Sequence, residues 1–240
     1  MTGDHEELES DAPRRGRWSE AEIAHLRRWY GQKDDAFIAR DLKRSTDAVH
    51  RMAREVFDEP RHDGPWTDAD VARLKQYLGA VDLEMLGRMI GRSRESIDAI
   101  LVDLTARLDD TPIEGDELVR FKRIYGTRTD EDLALVFGRR LEVVRDLAAT
   151  LCLSKDKAFL RRASGGTVKT RMPRWSADEL ETLRELYPAH SNLDIAQQLG
   201  RSVKSVVSKA HNMGLKKDKA RLQQMGRQNV RRRYDRGERS

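Results

Sequence analysis

A chain of 240 residues with 38% hydrophobic and 36% charged content is very polar for its length, the composition of several small cores rather than one large one. The total of 46 Lys and Arg against 41 Asp and Glu hides an asymmetry: residues 1–160 hold 27 against 33, a net of −6, and residues 161–240 hold 19 against 8, a net of +11. No apolar run is long enough to cross a bilayer, no signal-peptide pattern is present, and the single Cys152 has no disulfide partner; together these exclude membrane-spanning and disulfide-stapled classes and fit a reducing cytoplasm.

Residues 1–16 are acidic and pattern-poor and read as disordered. From Trp18 onward one pattern runs four times, anchored at Trp18, Trp66, Ile113 and Trp175. A second apolar position follows at Leu26, Leu74, Phe121 and Leu183, and a third at Tyr30, Leu78, Tyr125 and Tyr187. The register continues through Ile38, Leu86, Leu133 and Ile195, then the turn arginines Arg44, Arg92, Arg139 and Arg201, then Val49, Ile97, Val144 and Val206. Self-similarity of this length marks four copies of one small unit. The copies span 17–57, 65–105, 112–153 (a degenerate copy) and 174–217.

The spacing within a copy is helical and breaks into three short helices. Ser19 with Glu22, Thr67 with Asp70 and Ser176 with Glu179 open the first helix as hydroxyl–acid pairs, closest to a full capping box in the two Glu cases. The second helix covers 34–42 in copy one and 192–199 in copy four, closing at Gly91, Gly138 or Gly200, with Lys43 at that place in copy one. Ser45, Ser93 and Ser202 then cap a third helix, which gives a helix-turn-helix with a preceding helix to complete the core. Trp, Tyr and Leu positions read as core packing.

The segments Arg17-Trp18-Ser19-Glu20-Ala21-Glu22, Pro65-Trp66-Thr67-Asp68-Ala69-Asp70 and Arg174-Trp175-Ser176-Ala177-Asp178-Glu179 resemble the opening of Myb/SANT-type repeats. The run Ile195-Ala196-Gln197-Gln198-Leu199-Gly200-Arg201-Ser202, continuing to Lys217, resembles the bacterial and phage variant of that domain, including GcrA-like regulators. The resemblance implies an all-α, homeodomain-like fold of four tandem helix-turn-helix units, and a prokaryotic or phage source. It is specific for the fold and less so for DNA, since SANT-type members bind proteins.

The joins between the first three copies are short and acidic, which lets neighbouring units pack together. Residues 154–173 are longer, basic and contain Gly165-Gly166, so they read as a flexible linker. The last segment, 218–240, is a basic tail.

The outward face of the third helix decides what can enter a groove. With Val206, Ala210 and Met213 inward, copy four presents Lys204, Ser208 and His211, flanked by Val207, Lys209 and Asn212. Copy one presents Asp47, Arg51 and Arg54 beside His50, a mixed face. Copy two presents Glu95, Ala99 and Val102, and copy three Glu142, Asp146 and Ala149; acidic faces are repelled by phosphate. The expected duplex contact is therefore Arg201, Ser202, Lys204, Ser208, Lys209, His211 and Asn212, with Lys216, Lys217, Lys219, Arg231, Arg232 and Arg233 adding charge, and Arg44, His50, Arg51 and Arg54 as a second contact.

The six histidines are scattered without metal-ligand spacing, and neither a phosphate-cradling glycine loop nor a nucleophile elbow is present. These readings describe a non-catalytic, nucleoid-associated protein that binds double-stranded DNA and takes no cofactor or metal. The alternative is an interaction scaffold whose acidic middle copies hold a protein partner, and the basic tail also leaves RNA as a ligand.

Overall fold

A computed structural model describes residues 13–33, 35–164, 173–219 and 221–223 of the chain. It is all-helical, with no β-strand among the described residues. Copy one forms α1 (Glu20–Trp29), α2 (Asp35–Asp41) and α3 (Thr46–Val56); copy two forms α4 (Asp68–Tyr77), α5 (Leu83–Ile90) and α6 (Arg94–Ala106). Copy three supplies α7 (Gly115–Ile124), a 3-10 turn (Tyr125–Thr127), α8 (Asp130–Phe137) and α9 (Leu141–Thr150). After α10 (Lys157–Ala163), copy four forms α11 (Ala177–Leu186), α12 (Asn192–Leu199) and α13 (Val203–Asn212).

Local chemistry sets these boundaries. Ser19, Thr67 and Ser176 each accept from the backbone N–H three residues on, and Glu22, Asp70 and Glu179 return the bond, so the Asp copy closes its capping box as fully as the Glu copies. Ser191 and Asp194 form a fourth such box at the start of α12. The hydroxyls of Ser45, Ser93 and Ser202 cap the third helices, whereas Arg140 stands at that place in copy three and makes no side-chain cap. At the end of the middle helix Gly91 and Gly200 are left-handed, and Lys43 adopts the same conformation at φ 52° without being glycine.

The apolar register becomes the core. Leu26, Leu74, Phe121 and Leu183 are fully buried, as are Ile38, Leu86, Leu133 and Ile195, and Val49, Ile97, Val144 and Val206. Each such side chain contributes about 1.5–3 kcal/mol. The tryptophans do not join this set: Trp18, Trp66 and Trp175 are half-buried, each under a guanidinium whose carbon lies 4.8–5.0 Å from the ring centroid.

Those guanidiniums belong to the turn arginines. Arg44 is buried and donates to both carboxylate oxygens of Glu22 at 3.0 Å and to the carbonyls of Gly16 and Arg17. Arg92 repeats the arrangement with Asp70 and the carbonyls of Gly64 and Pro65, and Arg201 with Glu179 and the carbonyls of Pro173 and Arg174. Arg139 reaches Glu117 at 3.0 Å. Acid and arginine stand 22 residues apart in every copy. The chain ahead of the first three anchors is pinned a second time: Arg14, His62 and Asp109, four residues before the anchor, donate their N–H to the carbonyls of Lys43, Gly91 and Gly138.

By contact the described residues divide into two compact units: the chain up to Asp109 together with Glu131–Gly138, and Asp110–Asp130 together with Arg139 onward. Within the first unit Gly31, at φ +71°, lets copy two come close, since a Cβ there would lie 3.1 Å from the Tyr77 ring and 3.2 Å from Val81. The joins also pack, with Glu59 donating its N–H to the Arg88 carbonyl at 3.0 Å and accepting from Arg73.

In the second unit the structure corrects the linker. The first part of 154–173 is tied down and carries α10, while Gly165 and Gly166 lie outside the described residues. After α9, Cys152 takes a left-handed φ of 47° and Leu153 N–H closes on the Ala148 carbonyl; Gly214 and Leu215 do the same after α13. Lys155 Nζ then lies 3.6 Å from the Tyr125 ring centroid and Asp156 N–H bonds Gly126 C=O at 2.8 Å. Lys217 over Tyr187, at 3.8 Å, and Asp218 N–H on Pro188 C=O, at 3.0 Å, are the counterparts. Copies three and four thus share a closing element, Leu-x-Lys-Asp-Lys-Ala.

Candidate nucleic-acid interface

The inward stripe of α13 is Val206 and Ala210, both fully buried, with Met213 packed against the same core. That stripe turns Lys204, Val207, Ser208, His211 and Asn212 outward, all exposed, with Lys209 half-buried on the flank. Lys216 and Lys219 follow the helix and are exposed. A helix face of this kind offers hydrogen-bond donors and acceptors to base edges and cations to phosphate.

The first turn of α13 is not open. Val203 N–H donates to Cys152 C=O at 3.0 Å, Gln197 Nε2 donates to Thr150 C=O at 2.9 Å, and Lys204 Nζ reaches Asp156 Oδ1 at 2.6 Å. Cys152 itself packs against the copy-four core, and this burial pushes its thiol pKa up. Copy four is therefore docked on the segment that leaves α9. Lys204 keeps an exposed side chain despite its partner, 71% accessible against 37% for Asp156.

Several of the expected contacts are engaged within the chain. Arg44 and Arg201 are held by Glu22 and Glu179 and by backbone carbonyls, stacked against the tryptophans, so neither guanidinium is available to a groove. Direct hydrogen bonds from these guanidiniums hold the Glu22 and Glu179 carboxyls down to about 2, with the capping bonds to Ser19 and Ser176 adding to the effect. Ser202 spends its hydroxyl oxygen on the cap of α13. Lys217 is committed to Tyr187 and to the His190 carbonyl at 2.6 Å, and burial pushes its pKa down. His50 bonds Asp35 at 2.9 Å. Arg231, Arg232 and Arg233 lie outside the described residues.

The other third helices hold the same register with different chemistry. On α3, Arg51 and Arg54 are exposed beside Asp47, and Arg51 borders a cleft with Arg14 and Arg15. On α6, Glu95, Ala99 and Val102 are exposed, Val102 at 72%. On α9, Glu142, Asp146 and Ala149 are exposed. Missed in the sequence were the arginine–acid clasps, whose signal was the constant 22-residue spacing, and the closing Lys-Asp element, whose signal was its repetition after copies three and four. No cluster of His, Cys, Asp and Glu suited to a metal ion occurs among the described residues, and no helix there is long and apolar enough to cross a membrane. No family model, curated protein or solved structure matches the chain.

Proposed function

We propose that the chain is a non-catalytic double-stranded DNA-binding protein, a transcriptional regulator or chromosome-associated factor, assembled from four tandem Myb/SANT-like helix-turn-helix units. Copy four provides the main contact through Lys204, Ser208, Lys209, His211 and Asn212, reinforced by Lys216 and Lys219, and copy one adds Arg51 and Arg54. The observation that carries this reading is the outward face of α13: at positions where α6 and α9 expose acids, it exposes Lys204 and neutral hydrogen-bonding side chains. A polyanion is repelled by the former and drawn to the latter.

The test is duplex binding by Lys204→Glu with Lys209→Glu. The expected loss is about a hundredfold or more, since two phosphate or base contacts become repulsive, while Glu95→Ala on α6 changes affinity by less than about twofold. Unchanged affinity in the double variant refutes the assignment of α13. The scaffold reading rests on a separate observation, the exposed Val102 set among Glu95 and Asp103 on α6, and it predicts that the double variant and the unaltered protein bind duplex equally weakly.

A further inference from the structure

We infer that the duplex-binding surface is composite: the last turn of α7, in the copy whose own third helix is acidic, supplies Lys122 and Arg123 as phosphate contacts beside α13. This rests on the reading of α13 as the duplex contact and adds residues from a copy that its third helix alone would exclude.

The geometry is carried by the five residues 152–156. On one side Asp156 N–H and Lys155 Nζ bond the carbonyls of Gly126 and Tyr125, just beyond the end of α7. On the other, Cys152 C=O takes the Val203 N–H and Asp156 takes Lys204. The end of α7 and the first turns of α13 are thereby fixed to one segment from opposite sides. Between them lies a single cleft, bordered by Lys122 and Arg123 from α7, Ser154 from the segment, and Lys204, Val207 and Ser208 from α13.

Its charge is unbalanced. Three exposed arginines elsewhere are neutralised by a neighbour: Arg94 by Asp98, Arg107 by Asp103 and Arg140 by Asp110. Lys122 and Arg123 are exposed and take no such partner among the described residues. The one acid in the cleft, Asp156, is already engaged by Lys204. The charge of Arg123 also acts on Arg120, whose pKa is pushed down by burial first and by that charge second. A strand of phosphates relieves that repulsion, with the guanidinium forking two oxygens and the ammonium serving as a point charge. Position by position the pair is Arg27-Arg28 in copy one, but Lys75-Gln76 in copy two and Arg184-Glu185 in copy four, so copy four lacks at its own α11 what α7 brings to it.

The experiment compares the full chain, Lys122→Gln with Arg123→Gln, and Arg94→Gln with Arg107→Gln, which removes the same charge from α6 and the residue that caps its end. Each binds a mixed-sequence duplex of about 30 base pairs, three helical turns, across a salt series. Composite binding predicts about a tenfold loss for the α7 variant and a slope of log affinity against log salt shallower by about 1.8, with the α6 variant within about twofold of the unaltered chain. An α7 variant that matches the α6 variant, while Lys204→Glu with Lys209→Glu still abolishes binding, overturns the composite surface and leaves α13 standing. Failure of the unaltered chain to bind duplex overturns both.

Discussion

α6 and α13 are the same helix placed twice. Each begins at a serine cap, buries a fully inaccessible β-branched residue, Ile97 or Val206, and follows a turn arginine clasped to a capping acid. Their outward residues share nothing: Glu95, Ala99 and Val102 on one, Lys204, Ser208 and His211 on the other. The frame is fixed by packing and by the clasp, which leaves the solvent face free to diverge without cost to the fold. Equivalence of architecture is therefore no guide to equivalence of binding, and the two can be perturbed separately.

The largest effect comes from breaking the frame. Arg92, with 1% of its side chain accessible, leaves the Asp70 carboxylate without its guanidinium and two carbonyls without their donor if replaced by alanine; Arg92→Ala is expected to destabilise copy two by about 3 kcal/mol in denaturant titrations. Arg201→Ala removes the same clasp from copy four and is expected to lower both stability and duplex affinity, whereas Arg92→Ala lowers stability alone. Loss of affinity from Arg92→Ala at temperatures where copy four stays folded would erase the distinction between the two copies.

A smaller effect is expected from acid. Glu22 and Glu179 are held from an ordinary value of 4.5 down to about 2 by Arg44 and Arg201. A carboxyl with a depressed folded value stabilises fully above its unfolded value and loses that contribution as the pH falls through the folded one. Melting temperature should accordingly decline between pH 4.5 and about 2, and Glu179→Gln should remove the copy-four share of that decline. A melting temperature flat across this window contradicts the clasps.

Much of this frame is legible from residues alone. Apolar periodicity finds Leu26, Leu74, Phe121 and Leu183 because burial on a helix face repeats locally, and the hydroxyl–acid caps act within three residues. The second role of Glu22, Asp70 and Glu179 is not local: the arginine that each holds comes 22 residues later, and helical periodicity carries no information about such a pair. That is why Arg44 and Arg201 read as groove contacts and are instead structural. Likewise 154–164 reads as linker because α10 is seven residues long and has no buried stripe; the ties of Lys155 and Asp156 to Tyr125 and Gly126 hold it in place. Cys152 hides a glycine-like turn behind a side chain that packs on the next copy. The outward face of α13 needed only the register to be read; the covering of its first turn by Asp156 needed the fold.

The central claim is that the face of α13, and not the frame that carries it, holds the duplex. Giving α13 the outward residues of α6, as Lys204→Glu, Ser208→Ala and His211→Val, tests it most directly through duplex affinity measured beside a thermal melt. Loss of the exposed Lys204–Asp156 pair lowers the melt slightly, and the account predicts a folded protein with affinity reduced by about a hundredfold or more. A folded variant that binds duplex as tightly as the unaltered chain would contradict it.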